Sequence, residues 1–264
     1  MAARTERPAA RRERARRGVR GLAGAVGFLT IVPLPRSAPR ADERFDLGDA
    51  VPWFPLVGGA LGAFAGAIRA GLDPLLGRGP STAIALTGLV ALTGALHQDG
   101  LADVCDGLGV RGDRTRRLAI MRDPTVGAFG VLGLVLWALV LFSALEGLSA
   151  DHALRALIVA GAVGRLAAVL HAVAAAPARR DGLGAGLRVT TASGVPAVGV
   201  AAAIAIVAAG PLRGVLALGV GATAAGLTAG LARRAVGGRT GDTLGTAVAV
   251  AELMVCLALL ASWR

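Results

Sequence analysis

Apolar residues gather along this chain in seven blocks, each near the roughly 20 residues that cross a bilayer as a helix. Polar stretches rich in arginine, glycine and aspartate separate the blocks. The apolar positions within a block are not confined to one face, which is typical of membrane helices. The pattern predicts an all-α fold, a polytopic transmembrane helical bundle of about seven spans. The predicted spans are 51–71, 81–97, 125–145, 153–176, 194–210, 214–232 and 243–262.

The composition favours membrane helices over a soluble fold. Hydrophobic residues make up 55% of the 264 residues, and many of the 39 glycines lie inside the apolar blocks. Glycine weakens a helix in water but lets helix backbones approach closely in a bilayer. We expect an arginine-rich cytoplasmic tail over residues 1–20 and one integral membrane domain over residues 21–264. The stretch from Gly21 to Leu34 lacks a convincing cleavage site and predicts a short interfacial or re-entrant helix.

The positions of the arginines predict the orientation of the chain. All 28 basic residues are arginine, and the formal net charge is +11. With the N-terminus inside, the cytoplasmic segments carry 22 arginines and the opposite segments three, as the positive-inside rule requires. We therefore expect a multi-pass protein of the cell (cytoplasmic) membrane whose active face is cytoplasmic. The tail has no interleaved aromatic residues to stack on bases, so we expect contact with anionic lipid and no nucleic acid.

Three aspartates follow the second predicted span, in the run HQDGLADVCDG. Asp99, Asp103 and Asp106 are spaced i, i+4 and i+7, so a helix places them within an arc of roughly 60°. Carboxylates beside hydrocarbon are costly unless a metal, a cationic ligand or water compensates them. Their oxygens suit Mg²⁺ and, through it, a substrate phosphate. The alternative is a solvated helix end, although Gly100 and Gly107 would admit a closely approaching phosphate.

The run IMRDPTVGAFG gives a second candidate segment. Asp123 is a further candidate ligand or base beside Arg122, and the alternative is that Asp123 caps the next helix, which Pro124 would start. Gly127 and Gly130 would keep the face of that helix open.

Two further cytoplasmic loops carry features that suit phosphate. In GGRTGD, Gly238 and Gly241 offer backbone N–H groups at the start of the last span, and Asp242 would face an anion through a metal. The alternative is a plain tight turn capped by Asp242. In ARRDGLG, Arg179 and Arg180 offer guanidinium forks for phosphate oxygens, while the alternative is that they only set the topology.

Two charged residues fall deep inside predicted spans. Glu252 lies near the middle of the seventh span, where an acid is a candidate functional residue. Arg165 lies at a similar depth in the fourth span. A structural ion pair between them is the alternative.

Together these motifs resemble the cobalamin synthase family, the adenosylcobinamide-GDP ribazoletransferases. The resemblance covers nearly the whole chain after the arginine tail, and the acidic block followed by the GGRTGDTLG block is quite specific. It is carried by FLTIVPLP (28–35), WFPLVGGALG (53–62), LHQDGLADVCDG (96–107), IMRDPTVGAFG (120–130), GR (164–165), PARRDGLG (177–184) and GGRTGDTLG (237–245), followed by Glu252.

The resemblance implies a Mg²⁺-dependent membrane phosphotransferase of cobalamin biosynthesis. It would join α-ribazole, or α-ribazole 5′-phosphate, to the cobinamide phosphate of adenosylcobinamide-GDP, giving adenosylcobalamin or its 5′-phosphate and releasing GMP. The expected partners are these substrates and the lipid bilayer, and a homo-oligomer is compatible with the sequence. The expected catalytic residues are Asp99, Asp103, Asp106 and Asp123; the metal ligands Asp99, Asp103, Asp106 and Asp242; and the substrate-binding residues Arg122, Arg179, Arg180, Gly238, Gly241 and Asp242.

Three other functions remain open at this point. A CDP-alcohol phosphotransferase also uses cytoplasmic aspartates, but its first acidic motif contains an arginine that HQDGLADVCDG lacks. A prenyltransferase usually has a second aspartate-rich repeat, and GGRTGD has one aspartate. A transporter would show polar residues along both halves of a path, whereas only Arg165 and Glu252 lie deep.

Overall fold

Helices account for most of residues 8–34 and 47–264, the two stretches that the computed structural model describes. A 3₁₀ turn at Val51–Trp53 precedes the third of twelve α-helices in these stretches. The helices are α1 (Pro8–Leu29), α2 (Leu47–Ala50), α3 (Phe54–Leu76), α4 (Arg78–Leu92), α5 (Leu96–Gly109), α6 (Arg114–Ile120), α7 (Ala128–Glu146), α8 (Ala150–Ala174), α9 (Leu183–Gly186), α10 (Thr191–Ala209), α11 (Pro211–Val236) and α12 (Gly241–Trp263).

The long apolar helices match the predicted spans in number and order. Over the described ranges, six helical segments are long and apolar enough to cross a membrane, and the bent pair α4 and α5 brings the number to seven if it counts as one span. The six are α3 with the residues from Leu47 onward, α7, α8, α10, α11 and α12. The predicted all-α bundle of about seven spans is confirmed.

The second predicted span, 81–97, is wrong as one straight helix. Its first part belongs to α4, and α5 then leaves at 89° to α4. Gly94 and Ala95 between them have φ angles of 59° and 57°, in the left-handed region that often ends a helix. Their N–H groups donate to carbonyls in the last turn of α4. The chain can therefore turn sharply without leaving these backbone groups unpaired.

Helix α8 lies at the centre of the bundle. Its most apolar window is 83% buried, and it packs against α3, α10, α11 and α12. The contact with α3 is close because glycines line it. A Cβ at Gly58 would collide with the Gly161 carbonyl, and one at Gly62 with the Leu157 carbonyl. This confirms that small residues let the helix backbones approach within the bundle.

Two boundaries differ from the prediction. Helix α1 continues without interruption across residue 20 and overlaps the short helix expected from Gly21 onward. It packs on α2 and α3, where the rings of Phe28 and Phe54 stack with centroids 5.6 Å apart. Helix α7 begins at Ala128 rather than at 125, because the residues around Pro124 form a loop before it.

Candidate active site

The three predicted aspartates lie on one helix, as the spacing predicted. Helix α5 carries Asp99, which is exposed, Asp103, which is half-buried, and Asp106, which is buried. Asp103 lies close enough to the other two, and to Asp242, for their charges to act on it. The acidic stripe therefore extends onto a second helix, α12. Asp103 and the three carboxylates within electrostatic reach of it create a negative region that positive charge would stabilise.

Asp106 joins α5 to the beginning of α7. Its two carboxylate oxygens accept the backbone N–H groups of Gly127, at 2.7 Å, and Gly130, at 2.8 Å. Negative charge is favourable at a helix N-terminus, where the N–H groups lack intrahelical partners. A Cβ at either glycine would run into this carboxylate. Asp106 therefore positions α7, and both of its oxygens are already engaged in doing so.

Asp242 is held against α5 by close backbone packing. A Cβ at Gly100 of α5 would lie 2.7 Å from the Asp242 carbonyl oxygen. The Thr246 hydroxyl lies 3.0 Å from the Gly100 carbonyl and 2.8 Å from the Asp242 carbonyl. The structure thus brings together Asp242 and the α5 aspartates, although more than 130 residues separate the two motifs in the sequence.

The start of α12 orients the Asp242 side chain. Thr240 is the N-cap, and it forms a capping box with Thr243, so the alternative, in which Asp242 caps this turn, is wrong. Asp242 lies in the first turn, where it accepts a hydrogen bond of 3.1 Å from the Thr240 hydroxyl. The Arg179 guanidinium lies 3.6 Å from the same carboxylate oxygen. Arg179 is a positive side chain that the structure places at the acidic cluster.

The glycine-rich turn before α12 is fastened to the loop that carries Arg179. Gly238 has a φ of 151°, and a Cβ there would collide with the Ala176 carbonyl. The N–H of Arg239 donates to that carbonyl at 2.8 Å, and the N–H of Ala178 donates to the Arg239 carbonyl at 2.8 Å. Gly238 therefore permits a backbone approach that fixes Arg179 beside α12.

Arg239 is a structural residue that the sequence analysis left without a role. Its side chain is buried and donates four hydrogen bonds of 2.6–3.0 Å. The acceptors are the carbonyls of Ala172, Ala175, Gly184 and Leu187. Burial lowers the pKa of this guanidinium. The one signal in the sequence is an arginine enclosed in a glycine-rich turn.

The segment with Arg122 and Asp123 lies at the surface. Arg122 forms an exposed ion pair with Asp181 at 2.8 Å, which links its loop to the Arg179 loop. Asp123 accepts hydrogen bonds from the N–H and the hydroxyl of Thr125, and these bonds lower the pKa of its carboxyl. The alternative for Asp123, that it caps the next helix, is wrong, because Gly127 is the N-cap of α7.

The other predicted phosphate-binding residues occupy different environments. Arg180 is exposed beside Arg179. Gly241 begins α12, and a Cβ there would lie 3.3 Å from the Leu183 side chain. Throughout the described part of the chain, no group of three or more His, Cys, Asp or Glu side chains is close enough to hold a metal ion as it stands. The four-aspartate metal site therefore remains a prediction.

A cavity of about 130 Å³ opens beside the acidic cluster. Asp99 and Asp242 contribute to its wall, together with His97 and Arg165. Arg165 also donates to Glu252 in a buried ion pair between α8 and α12. The structure confirms the ion pair that the sequence left as the alternative for these two residues.

The family of the chain follows from comparison with known proteins. The model of the cobalamin-5-phosphate synthase family matches residues 21–260. The chain belongs to the cobalamin-5-phosphate synthase family. The resemblance identified from the motifs is therefore confirmed. No solved structure is detectably similar to it.

Several relatives of this chain are named adenosylcobinamide-GDP ribazoletransferase. The one from Geotalea daltonii is 40% identical over 245 residues, covering 90% of this chain and 95% of its own. Those from Citrobacter koseri and Escherichia coli K12 are 36% and 34% identical, each covering 89% of this chain and 97% of its own. The chain matches these proteins over nearly their whole length.

Proposed function

We propose that this protein transfers the cobinamide phosphate of adenosylcobinamide-GDP to α-ribazole, or to α-ribazole 5′-phosphate. The products are adenosylcobalamin, or its 5′-phosphate, and GMP. The observation that carries the proposal is the meeting of Asp99 and Asp103 of α5 with Asp242 of α12 beside Arg179. The names of the relatives support the choice of substrates.

The residues of this site suit the chemical requirements of the reaction. A hydroxyl oxygen of the ribazole attacks the phosphorus on the cobinamide side of the diphosphate, and the bond from that phosphorus to the GMP oxygen breaks. Catalysis of such a step depends on positioning and on neutralising phosphate charge. Arg179 presents a guanidinium to phosphate oxygens, and the first turn of α12 adds N–H groups that no intrahelical carbonyl accepts. A carboxylate of the cluster accepts the hydroxyl proton.

Magnesium suits the chemistry of this donor set. The carboxylates provide hard oxygen ligands, and Mg²⁺ commonly binds through one or two carboxylates together with water and substrate phosphates. A complete cage of protein ligands is therefore not required. Asp99, Asp103 and Asp242 would hold the ion, whereas both Asp106 oxygens already accept backbone N–H groups. Bound there, Mg²⁺ would neutralise charge on the diphosphate.

We place the reaction at the cytoplasmic face of the cell membrane. The support is the arginine distribution, 22 on the side of the N-terminus and three on the other. The acidic stripe, the Arg179 loop and the beginning of α12 lie close to one another. Contacts also join the arginine-rich segments 98–124, 177–193 and 233–241, because Arg114 donates to the Ala178 carbonyl and Arg117 donates to the Ala235 carbonyl.

The proposal is tested with the purified protein in lipid nanodiscs, given Mg²⁺, adenosylcobinamide-GDP and α-ribazole. We expect GMP release that chromatography detects and that EDTA abolishes. Absence of GMP above the EDTA control would refute the proposed function. We expect Asp103→Asn to abolish GMP release while the protein remains folded. The matched control is Asp151→Asn, which changes an exposed aspartate in the first turn of α8. This variant should retain activity.

A further inference from the structure

The cavity beside the acidic cluster has a mainly apolar wall. Nine of its sixteen lining residues are phenylalanine, leucine, valine or alanine. The aromatic part comes from Phe28 of α1 and Phe54 of α3, whose rings stack nearly parallel, at 10°. Leu187 and Leu244 close other sides. A wall of this kind favours a flat hydrocarbon ring, which gains free energy by leaving water.

Two polar groups in the wall lack partners inside the protein. His97 is 4% exposed, and within the described residues neither of its ring nitrogens has a hydrogen bond. The Nε of Arg165 is buried and likewise has no acceptor among those residues. A buried polar atom without a partner, such as the Arg165 Nε, costs free energy. A ligand with a hydrogen-bonding atom at its edge would give the His97 imidazole a hydrogen-bond partner.

The size of the cavity selects among candidate ligands. An apolar protein cavity of about 150 Å³ holds benzene, so about 130 Å³ takes a ring of that size while the rest of the ligand extends through the open side. Guanine would bury hydrogen-bonding groups along most of its edge against apolar residues, which is costly. A lipid acyl chain would fit the wall but leave His97 unpaired.

We propose that this cavity binds the benzimidazole base of the acceptor nucleoside. The hydrocarbon ring of the base lies among Phe28, Phe54 and the leucines, and His97 donates a hydrogen bond to the free imidazole nitrogen. The ribose then leaves the cavity beside Asp99 and Asp242, where the diphosphate is attacked. This inference rests on the proposed function, since it assigns the acceptor subsite of the same centre.

The first test narrows the cavity. Ala168 of α8 lines it, and Ala168→Leu fills part of the space. We expect this variant to raise the KM for α-ribazole about tenfold or more, and to leave the KM for adenosylcobinamide-GDP within about twofold. Ala174→Leu makes the same change at an exposed position of the same helix and should alter neither KM. An unchanged KM for α-ribazole, or a rise confined to the KM for adenosylcobinamide-GDP, would overturn the assignment.

The second test needs no variant. We expect free 5,6-dimethylbenzimidazole to inhibit GMP release competitively with respect to α-ribazole, and guanosine to have no such effect. Absence of competition, or competition by guanosine instead, would contradict the inference even if Ala168→Leu fails to fold.

The third test measures binding without turnover. Equilibrium dialysis of 5,6-dimethylbenzimidazole against the wild-type protein in nanodiscs should show binding that Ala168→Leu weakens about tenfold and Ala174→Leu preserves. If the wild type binds the base but releases no GMP, the proposed function fails and the cavity assignment stands. If it releases GMP but does not bind the base, the cavity assignment fails and the function stands. Displacement of the base by added phospholipid would identify an acyl-chain site and refute the inference.

Discussion

Replacing Arg239 by methionine removes a guanidinium that joins three parts of the site. Its four hydrogen bonds run from the turn before α12 to the end of α8 and to the loop that includes α9. Methionine fills a similar volume without charge or donors, so the carbonyl acceptors lose their partners while the packing largely persists. The change therefore separates the contribution of the hydrogen bonds to stability from the contribution of side-chain volume.

The magnitude follows from those acceptors. A buried acceptor left without a partner costs about 1–3 kcal/mol, and breaking a buried charged arrangement costs about 3–5 kcal/mol. The four carbonyls belong to buried residues and share one guanidinium, so we take the range for a buried charged arrangement as the scale and expect a total loss of about 4 kcal/mol. For a domain of this size, each kcal/mol lowers Tm by roughly 2–4 °C. The expected decrease is therefore about 10 °C.

Thermal unfolding in one detergent, followed by tryptophan fluorescence, measures this decrease. Arg188→Met removes the same charge from an exposed position of the neighbouring loop and should change Tm by less than about 2 °C. Hydrogen exchange should also rise over residues 177–187 in the Arg239 variant. A Tm equal to that of the Arg188 control, with unchanged exchange in this loop, would refute the role assigned to Arg239.

Three further predictions concern other contacts. Asp106→Asn leaves one of two N–H groups at the start of α7 without an acceptor and should destabilise the protein by about 1–3 kcal/mol in unfolding experiments. Glu252→Gln should cost about 3–5 kcal/mol by leaving Arg165 buried without its counter-ion, and adding Arg165→Met should recover part of that loss. Thr125→Val should raise the pKa of Asp123 toward its ordinary range in an NMR titration, because the hydroxyl donor is lost.

Each of these has a result that contradicts it. Asp113→Asn is the control for Asp106→Asn, because asparagine replaces aspartate well at the N-cap of α6. Equal stability of these two variants would contradict the role of Asp106 as the acceptor of the N–H groups at the start of α7. Additive effects of the Glu252 and Arg165 changes would exclude their coupling. The Asp123 carboxyl has a lowered pKa, so its contribution to the turn is present above its ordinary pKa and is lost as the pH falls through the lowered value. An unshifted titration in Thr125→Val would contradict that explanation.

The spans could be predicted from sequence because lipid exposure and burial both require apolar residues over a fixed length. The same apolar pattern explains why residues 81–97 were wrongly predicted as one straight helix. Apolar residues continue through the end of α4, and their pattern carries no information on backbone dihedral angles. Gly94 gives only a weak indication of a turn, and Ala95 gives none, although both adopt positive φ. The break depends on a backbone conformation that composition does not report.

One part of the candidate site could likewise be predicted from the sequence, and another part could not. The common face of the three α5 aspartates follows from spacing within one helix, so it could be predicted. The partners of Asp106 and the acceptors of Arg239 lie on other segments of the chain, and only the packing of helices brings them together. The sequence therefore identified the chemical groups of the cluster, but it did not show which of them hold the structure.

The right-angle bend between α4 and α5 determines how the aspartates are spread along the direction of α4. In a straight continuation of α4, Asp99 and Asp106 would differ by roughly 10 Å along the helix axis, a third of the hydrocarbon thickness. At 89° to α4, α5 instead carries them along one level. If α4 stands upright in the bilayer, a large water-soluble substrate would approach sideways over the membrane surface, without entering a channel, and would meet the carboxylates together.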